Sequence, residues 1–330
     1  MALATAQGLA DEFETIFIGP PGLGLIEAQR LGFQTRQYRT SLDLARVLKP
    51  LLRLYPSLTF VGTGPRYHLV CMALNLFFRR KIRHIHVLHG GSGIDKDYAR
   101  KRVLNFFDIP FVVVSEWSKQ RLIDHGVRNR IEVIGNFLTP KQLREIPKRP
   151  RYTVAGVRRA LIVSRVDREK RVDLLLDALD RRRQELSDIS LRILGVGPEL
   201  DALRERAGRT HPNVQFAGFS DNVAGEMAQA DLLVHPCPVE TFGLVILEAM
   251  AANLAVLAAD AAGTGAIIHD GVNGFKFRPE DAGHLAQRLL ELHRAGAQTL
   301  NAVVAGGRRT VEETYSSEKM LAKYRTLFRP

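Results

Sequence analysis

Two carboxylates stand at the two ends of an apolar stretch in the second half of the chain. Glu240 and Glu248 have seven residues between them, and most of those residues are apolar. The run Leu232–His235 predicts a buried strand and Phe242–Ala252 predicts a helix, so Glu240 lies in the turn between the two. Ligands of parallel α/β sheets bind at this edge, outside the carboxyl ends of the strands. The position therefore predicts that the two glutamates contact a ligand.

The start of the predicted helix is a candidate phosphate site. The N–H groups of Gly243 and Leu244 fall in the first helical turn, where they lack intrahelical acceptors and bind phosphate readily. A glycine there lets a ligand approach the backbone closely. Glu240 then faces the group attached to the phosphate, and Glu248, about two turns along, is placed to accept two ribose hydroxyls. The alternative is that Glu240 caps the helix and Glu248 forms a salt bridge in the core.

Two cations occupy a second predicted turn at the same kind of position. The segment LIVSRVDREKR, residues 161–171, predicts a strand that runs into a loop and then a helix, and the loop holds Arg165 and Lys170. Two positive charges at a strand's carboxyl edge suit a diphosphate. A solvated basic loop is the alternative, but the two glutamates in the other turn favour the diphosphate interpretation.

The elements that must position these residues are short strands alternating with longer helices. Short β-branched runs recur along both halves, separated by helical patterns such as Leu42–Leu54 and Val172–Leu186, which is typical of parallel sheets covered by helices. The pattern stops at Thr139–Arg159, which has three prolines and a basic bias and predicts a linker. We therefore predict an α/β protein with two doubly wound Rossmann-like domains, at 1–150 and 151–315, and a C-terminal helix over 316–330 that returns to the first domain.

Composition restricts the class of protein further. The net charge is +12, and residues 1–150 contribute +11 of it while residues 151–330 contribute +1. The apolar runs are too short to span a membrane, and the N-terminus lacks the pattern of a secretory signal. The two cysteines, Cys71 and Cys237, both lie in apolar runs and are predicted to be reduced, which indicates a cytoplasmic protein. No cysteine and histidine spacing predicts a zinc site.

The excess positive charge of the first half has a focus beside apolar side chains. The segment Leu69–His84 predicts a helix that ends in two aromatic residues followed by four basic ones, namely Phe77, Phe78, Arg79, Arg80, Lys81 and Arg83. Such a pattern suits an anionic membrane surface, where each basic group contributes roughly 1 kcal/mol. The alternative is that the aromatic residues are core and the basic ones merely solvated. No recognition module for nucleic acid is present in the sequence, so nucleic acid is not a predicted partner.

Several motifs, in this order, resemble one known family. They are VLHGG, VSEWSKQRLIDHG and IGNF in the first half, and SRVDREKR, FAGFSDNV, VETFGLVILEAMA and AADAAGTGAIIHDGVNGF in the second. The chain resembles the retaining, nucleotide-sugar-dependent glycosyltransferases of family four, also called glycosyltransferase group 1, which have the two-domain GT-B fold. The resemblance runs from about Leu9 to the C-terminus, and its second-half motifs are the specific ones.

The resemblance implies roles for the residues singled out above. Arg165 and Lys170 would hold the diphosphate, Glu248 the ribose hydroxyls and Glu240 the hydroxyls of the donor sugar. Together with His89, which would touch the sugar at the domain cleft, Glu240, Arg165 and Lys170 form the implied catalytic set. Further donor contacts are implied for Gly218, Phe219, Thr241, Phe242, Gly243 and Leu244.

The resemblance also implies that no metal and no cofactor other than the nucleotide sugar is required. The acidic segment Asp95–Asp97 imitates a metal-binding signature, but it begins a helical stretch, where acidic residues favour the N-terminus. His84 and His86 alternate to the other face from His89 and are predicted to be structural or surface groups.

The chain departs from the family pattern at three places. Family members usually open with a strand and a glycine-rich loop before the first helix, whereas residues 1–20 here resemble that first helix followed by the second strand. Truncation or divergence of the first strand is therefore expected. The alternative is that GPPGLGL, residues 19–25, takes the place of the glycine-rich loop after the predicted strand Thr15–Ile18. Asn253 stands where the family often has glycine before proline, and Ala266 where it often has glutamate.

These observations predict a glycosyltransferase that moves a sugar from a nucleotide-diphosphate donor to an acceptor hydroxyl, with retention of configuration, in cell-surface glycan or glycolipid synthesis. The acceptor is expected to be lipid-linked or polyanionic and to be met at the cytoplasmic face of the membrane. The alternatives are a nucleotide-sugar epimerase or a phosphorylase on the same scaffold, and a basic binding protein without catalytic activity.

Overall fold

The computed structural model of the chain describes residues 1–89 and 94–329. The glycines that follow His89, and the side chain of Asp95, lie outside the described residues. The chain divides into two compact units, Met1–Gly135 with the segment from Met320 onward, and Asn136–Lys319. The division falls before the segment predicted to be a linker. That segment packs within the second unit because Arg149 donates to Asp231 at 2.8 Å and the Tyr152 hydroxyl donates to the Asp231 carbonyl.

The described part of the first unit contains six parallel strands that form two separate sheets. The strands are β1 (Ile16–Gly19), β2 (Gln34–Gln37), β3 (Ser57–Gly62), β4 (Lys81–Leu88), β5 (Phe111–Val113) and β6 (Ile131–Val133). β1 pairs with β2, and the order of the other sheet is β3-β4-β5-β6. The α-helices are α1 (Ala2–Gly8), α2 (Leu23–Arg30), α3 (Ser41–Leu54), α4 (Pro65–Phe78), α5 (Ile94–Arg100) and α6 (Glu116–Asp124), with a 3-10 helix at Lys101–Phe106.

The second unit contains one continuous parallel sheet of six strands. They are β7 (Arg159–Val163), β8 (Ser190–Leu194), β9 (Val214–Gly218), β10 (Leu232–His235), β11 (Ala255–Ala259) and β12 (Phe275–Phe277), in the order β12-β11-β10-β7-β8-β9. Its α-helices are α7 (Pro140–Glu145), α8 (Val172–Arg181), α9 (Leu200–Thr210), α10 (Val223–Gln229), α11 (Leu244–Ala251), α12 (Ala262–Ile267), α13 (Ala282–Arg294) and α14 (Ala297–Arg309). A 3-10 helix at Arg168–Lys170 precedes α8, and a π-helical turn at Thr310–Thr314 follows α14.

The core of the second unit explains why its strands are apolar throughout. Every residue of β10 and β11 is buried, as expected for central parallel strands with helices over them. α8 places Leu175, Leu176 and Leu179 in the same core. The last helix, α15 (Ser317–Phe328), packs from Met320 onward within the first unit, where Leu321 contacts Gly8 of α1.

The prediction of an α/β protein with parallel sheets is confirmed. The predicted start of the helix after β10 is wrong. α11 begins at Leu244 because Gly243 has a φ of +81°, a left-handed conformation that ends the turn before the helix and suits glycine. No helix in the described part of the chain is long and apolar enough to cross a bilayer.

Candidate functional site

The predicted ligand residues of the second unit lie where the strand order of its sheet reverses. β7 is followed by β8 on one side, while β10 pairs with β7 on its other side. Ligands of open α/β sheets bind at such a reversal, outside the carboxyl ends of the two strands. The loop after β7 carries Lys170, and the loop after β10 carries Glu240. The fold therefore brings together two residues that are 70 positions apart in the sequence.

Lys170 and Glu240 form a partly buried ion pair at this edge. The Lys170 ammonium donates to Glu240 Oε2 at 2.7 Å, and the two side chains are 18% and 21% exposed. Burial works to lower the pKa of Lys170, but Cys237 and Glu240 outweigh it, so the pKa is raised. Burial works to raise the pKa of Glu240, but the hydrogen bond and charge of Lys170 lower it. Both groups are therefore charged at neutral pH.

Three possible metal ligands surround the same ammonium. One atom each of His235, Cys237 and Glu240 lies within 4.8 Å of the others, a spacing that can hold a metal ion. Lys170 Nζ lies 2.7 Å from Glu240 and 3.8 Å from Cys237 Sγ, so a positive charge is already present among these donors. A metal ion there would have to displace the ammonium. Metal independence stays a prediction, which chelator-treated enzyme tests.

The start of α11 offers free backbone donors beside this pair. No side chain caps the helix, and the first N–H groups of a helix have no intrahelical acceptor. The turn before it is held from behind by Gly263, whose N–H donates to the Glu240 carbonyl at 2.8 Å. A Cβ at Gly263 would lie 1.8 Å from the Thr241 carbonyl oxygen, so only glycine fits there. Thr241 itself is buried in the turn.

Glu248 lies on α11 as a half-buried carboxylate. The described residues supply its side chain with neither a hydrogen bond nor an ion pair, and burial raises its pKa. The alternative prediction that Glu248 forms a salt bridge in the core is therefore wrong. The carboxylate oxygens of Glu248 are therefore available to accept hydrogen bonds from a ligand.

Arg165 is placed differently from Lys170. Its side chain is 66% exposed and pairs with Asp167 at 3.0 Å. Asp167 also caps the 3-10 helix by accepting from the Lys170 N–H. The loop is supported by Gly195 and Gly197, where a Cβ would lie 1.8 Å from the Ser164 carbonyl oxygen and 2.2 Å from that of Val166. These two glycines were not predicted as site residues, although a glycine directly after a strand, such as Gly195 after β8, was the available signal.

Three further predicted donor residues differ in what they offer. Gly218 has a φ of +73° at the end of β9, and Phe219 after it is 80% exposed, which leaves a free ring face. Phe242 is fully buried and packs edge-on against Tyr315. The Phe242 ring is therefore part of the core, and the predicted donor contact of this residue stays a prediction.

The remaining predicted catalytic residue, His89, belongs to the first unit and follows β4. Burial lowers its pKa to about 4, with a contribution from the amino terminus of Met1, so the ring is neutral at pH 7. His84 and His86 lie on the same strand and form a buried row with His68, through nitrogen pairs at 3.1 and 3.2 Å. The prediction that these two are not ligand residues stays a prediction.

Only some of the residues predicted to face a membrane have side chains that are exposed and not engaged within the protein. Phe77 is 86% exposed, and Leu76 beside it is also exposed. The alternative prediction that Phe77 is part of the core is therefore wrong. Arg80 instead donates to the carbonyls of Leu52 and Arg53, which end α3. Arg83 donates to the Arg329 carbonyl, and the Phe78 ring lies under Arg53. Phe77, Arg79 and Lys81 remain as the exposed part of the predicted surface.

Comparison with known proteins finds a family match within the second unit. Residues 157–295 match the family of glycosyl transferases group 1. The chain is 29% identical over 186 residues to N-acetyl-alpha-D-glucosaminyl L-malate synthase of Bacillus anthracis, covering 54% of this chain and 47% of that one. It is 30% identical over 199 residues to phosphatidyl-myo-inositol mannosyltransferase of Mycobacterium leprae, covering 59% and 52%. The chain thus matches about half the length of these two relatives.

A solved structure extends the likeness in fold to the whole chain. The crystal structure of Anabaena Alr3699/HepE in complex with UDP and glucose superposes with a TM-score of 0.79 at 19% identity, covering 99% of this chain and 94% of that one. The predicted GT-B fold class is thereby confirmed.

Proposed function

We propose that the chain, whose residues 157–295 match the group 1 glycosyl transferases, transfers a sugar from a nucleotide-diphosphate donor to an acceptor hydroxyl. One observation carries the proposal. Lys170 and Glu240 meet at 2.7 Å where the strand order of the sheet reverses, beside the uncapped start of α11. A cation and free N–H groups suit a diphosphate, and a carboxylate suits sugar hydroxyls.

Each group then has a part in the reaction. The bond from the sugar to the diphosphate breaks and the same sugar carbon bonds to the acceptor oxygen. Negative charge develops on the departing phosphate oxygen, which takes up the proton of the acceptor hydroxyl. Lys170 and the N–H groups of Gly243 and Leu244 stabilise that charge electrostatically. Arg165, exposed and on the same loop as Lys170, is free to exchange Asp167 for a phosphate. Glu240 orients the sugar. We propose retention of configuration and no metal, as the family resemblance implies.

The nucleoside part of the donor has its own contacts. Glu248 has an available carboxylate for the two ribose hydroxyls, and the exposed Phe219 ring offers a face on which a base can stack. The similar Anabaena structure contains UDP and glucose, which makes UDP-glucose the first donor to test.

A thermal-shift screen tests the donor. UDP, GDP, ADP, dTDP and their sugars are added to the purified chain, and a ligand at one hundred times its dissociation constant raises stability by about 2.7 kcal/mol. Lys170→Ala should abolish the shift from a nucleoside diphosphate and leave that from the nucleoside. Arg181→Ala, at the end of α8, is the matched control.

If no nucleotide or nucleotide sugar shifts the transition, the alternative of a non-catalytic basic protein is favoured. If a sugar nucleotide binds and is converted to its epimer without acceptor, the alternative of an epimerase is correct.

For the acceptor, we propose a lipid-linked or polyanionic molecule met at an anionic membrane surface. Support comes from Phe77 and Leu76, which are exposed at the end of α4, with Arg79 and Lys81 directly after them. A mycobacterial relative named above carries phosphatidyl-myo-inositol in its name. This placement implies synthesis of cell-surface glycan or glycolipid at the cytoplasmic leaflet.

Vesicle co-sedimentation tests the membrane proposal. Binding should require anionic lipid, decrease with salt, and drop about tenfold in the variant Phe77→Ser with Arg79→Gln and Lys81→Gln. Arg80→Gln is the control, because its guanidinium is engaged by backbone carbonyls. Equal binding to neutral and anionic vesicles would contradict the proposal.

A further inference from the structure

His235 is a buried histidine whose Nε2 is directed at the proposed site. It is the last residue of β10 and is 4% exposed. Its Nε2 has no hydrogen-bond partner among the described residues and lies 3.8 Å from Glu240 Oε2. A buried polar atom without a partner is destabilising, so its position calls for a reason.

The oxygen that His235 faces is the one that Lys170 holds. Glu240 Oε2 lies 2.7 Å from Lys170 Nζ and 3.8 Å from His235 Nε2. In the proposed function, which this inference rests on, Lys170 also serves the diphosphate. If the Lys170 ammonium turns to the phosphate oxygens, the partly buried Glu240 carboxylate loses part of its interaction with that positive charge. This loss is destabilising unless another donor takes the place of Lys170.

His235 has the right properties for that replacement. Burial lowers its pKa to about 4, and Glu240 works against this while Lys170 adds to it. The ring is therefore neutral at pH 7 and carries one N–H, which Nε2 can hold. A neutral donor orients the carboxylate without cancelling its charge, so the second carboxylate oxygen stays available to sugar hydroxyls.

We infer that His235 is a positioning residue: when Lys170 turns to the diphosphate, His235 Nε2–H donates to Glu240 Oε2 and keeps that carboxylate on the donor sugar. The consequence is specific to ligands that carry a sugar. A nucleoside diphosphate engages Lys170 but does not need Glu240 in place, whereas a nucleotide sugar needs both.

Calorimetric titration with UDP and UDP-glucose tests this inference. His235→Leu should leave the dissociation constant of UDP within about twofold and weaken UDP-glucose at least tenfold. His235→Gln, whose amide can donate to the same oxygen, should restore UDP-glucose to within about threefold. His211→Leu is the matched control, because His211 is equally buried in the second unit but pairs with Asp180.

Two outcomes would overturn the inference. Equal weakening of UDP and UDP-glucose by His235→Leu shows a structural role, as does failure of His235→Gln to restore selectivity. If the leucine variant does not fold, His235→Asn replaces it, because its shorter amide is expected to weaken UDP-glucose selectively in the same way. If the unsubstituted chain binds neither UDP nor UDP-glucose but the thermal-shift screen finds another nucleotide sugar, the same titrations use that sugar nucleotide and its nucleoside diphosphate. If the screen finds no nucleotide or nucleotide sugar, the proposed function itself is contradicted, and the inference with it.

Discussion

The sheet of the second unit is continuous, whereas that of the first unit is divided. In the second unit six strands pair without interruption, and the site forms where their order reverses. In the first unit a cavity of about 1220 Å³ runs along β1 and β3. Consecutive residues of both strands line it, from Thr15 to Ile18 and from Ser57 to Thr63. Because side chains alternate between the faces of a strand, consecutive lining residues show that the cavity follows the strand edges.

The two units also differ in how they treat buried charge. The second unit buries an ion network in which Asp231 accepts from Arg149 and Arg159. The first unit buries three neutral histidines, His68, His84 and His86, in a row between α4 and β4. The Asp231 network of the second unit is thus built from paired charges, while the first unit contains buried groups that resist protonation.

The largest expected effect is the loss of the Asp231 network. Asp231→Ala should lower the free energy of unfolding of the second unit by about 3–5 kcal/mol, because it leaves the buried Arg149 guanidinium unpaired. Chemical denaturation followed by circular dichroism measures it. Trp117, the one tryptophan, belongs to the first unit, so its fluorescence separates the two transitions. Asp201→Ala, with a side chain 96% exposed, should cost almost nothing. A loss below about 1 kcal/mol would show that the network is replaceable.

Acidification should destabilise the first unit before the second. Burial lowers the pKa of His68 and His84 to about 4 and of His86 to about 3, below their unfolded value near 6.5. A group with a depressed pKa stabilises the fold above its unfolded pKa, and that stability is lost as the pH falls toward the folded pKa. The loss should therefore occur between about pH 6.5 and 4, on the order of a few kcal/mol.

The second unit should keep its ion network through that window. Burial works to raise the pKa of Asp231, but Arg159 and Arg149 outweigh it and lower the pKa to about 2. The stabilisation that the ionised Asp231 provides is therefore lost only below about pH 4. Trp117 fluorescence against pH measures the first unit, and replacing all three histidines of the row with glutamine should flatten the curve. His269→Gln, an exposed site, is the control. A pH-independent transition of the unsubstituted chain would contradict the assignment.

Amide exchange compares the two sheets directly. Amides of β1 and β3 that point into the cavity have no strand to pair with in the described chain, whereas β7 and β10 are flanked by strands on both sides. After correction for intrinsic rates, we expect the cavity-facing amides of β1 and β3 to exchange at least about tenfold faster than the amides of β7 and β10. Equal protection in both sheets would mean that something pairs with the open edges in solution.

Much of this architecture followed from local pattern, and the exceptions have physical causes. The apolar runs of β10 and β11 predicted buried strands, but β2, with the sequence QTRQ, carries no apolar signal because it is an exposed edge strand. The strand β12 is only three residues long. Lys170 and Glu240 were predicted separately, yet their pairing depends on strand order, which local sequence does not encode. The role of His235 could not be predicted, since a strand-end histidine has no distinctive spacing.

The smallest predicted effect concerns a residue whose proposed role costs stability. The half-buried Glu248 has its pKa raised by burial, and a raised pKa of a carboxyl group means that its ionised form destabilises the fold at neutral pH. Glu248→Gln should therefore stabilise the second unit by up to about 1 kcal/mol, and the gain should shrink as the pH is lowered and the native carboxyl takes up its proton. The same variant should weaken ribonucleotides about tenfold and 2′-deoxyribonucleotides much less, because the lost contact is with ribose hydroxyls. Denaturation at two pH values and parallel titrations with UDP and its 2′-deoxy form measure both effects. A variant that is less stable, or that weakens both nucleotides equally, would show that Glu248 is structural.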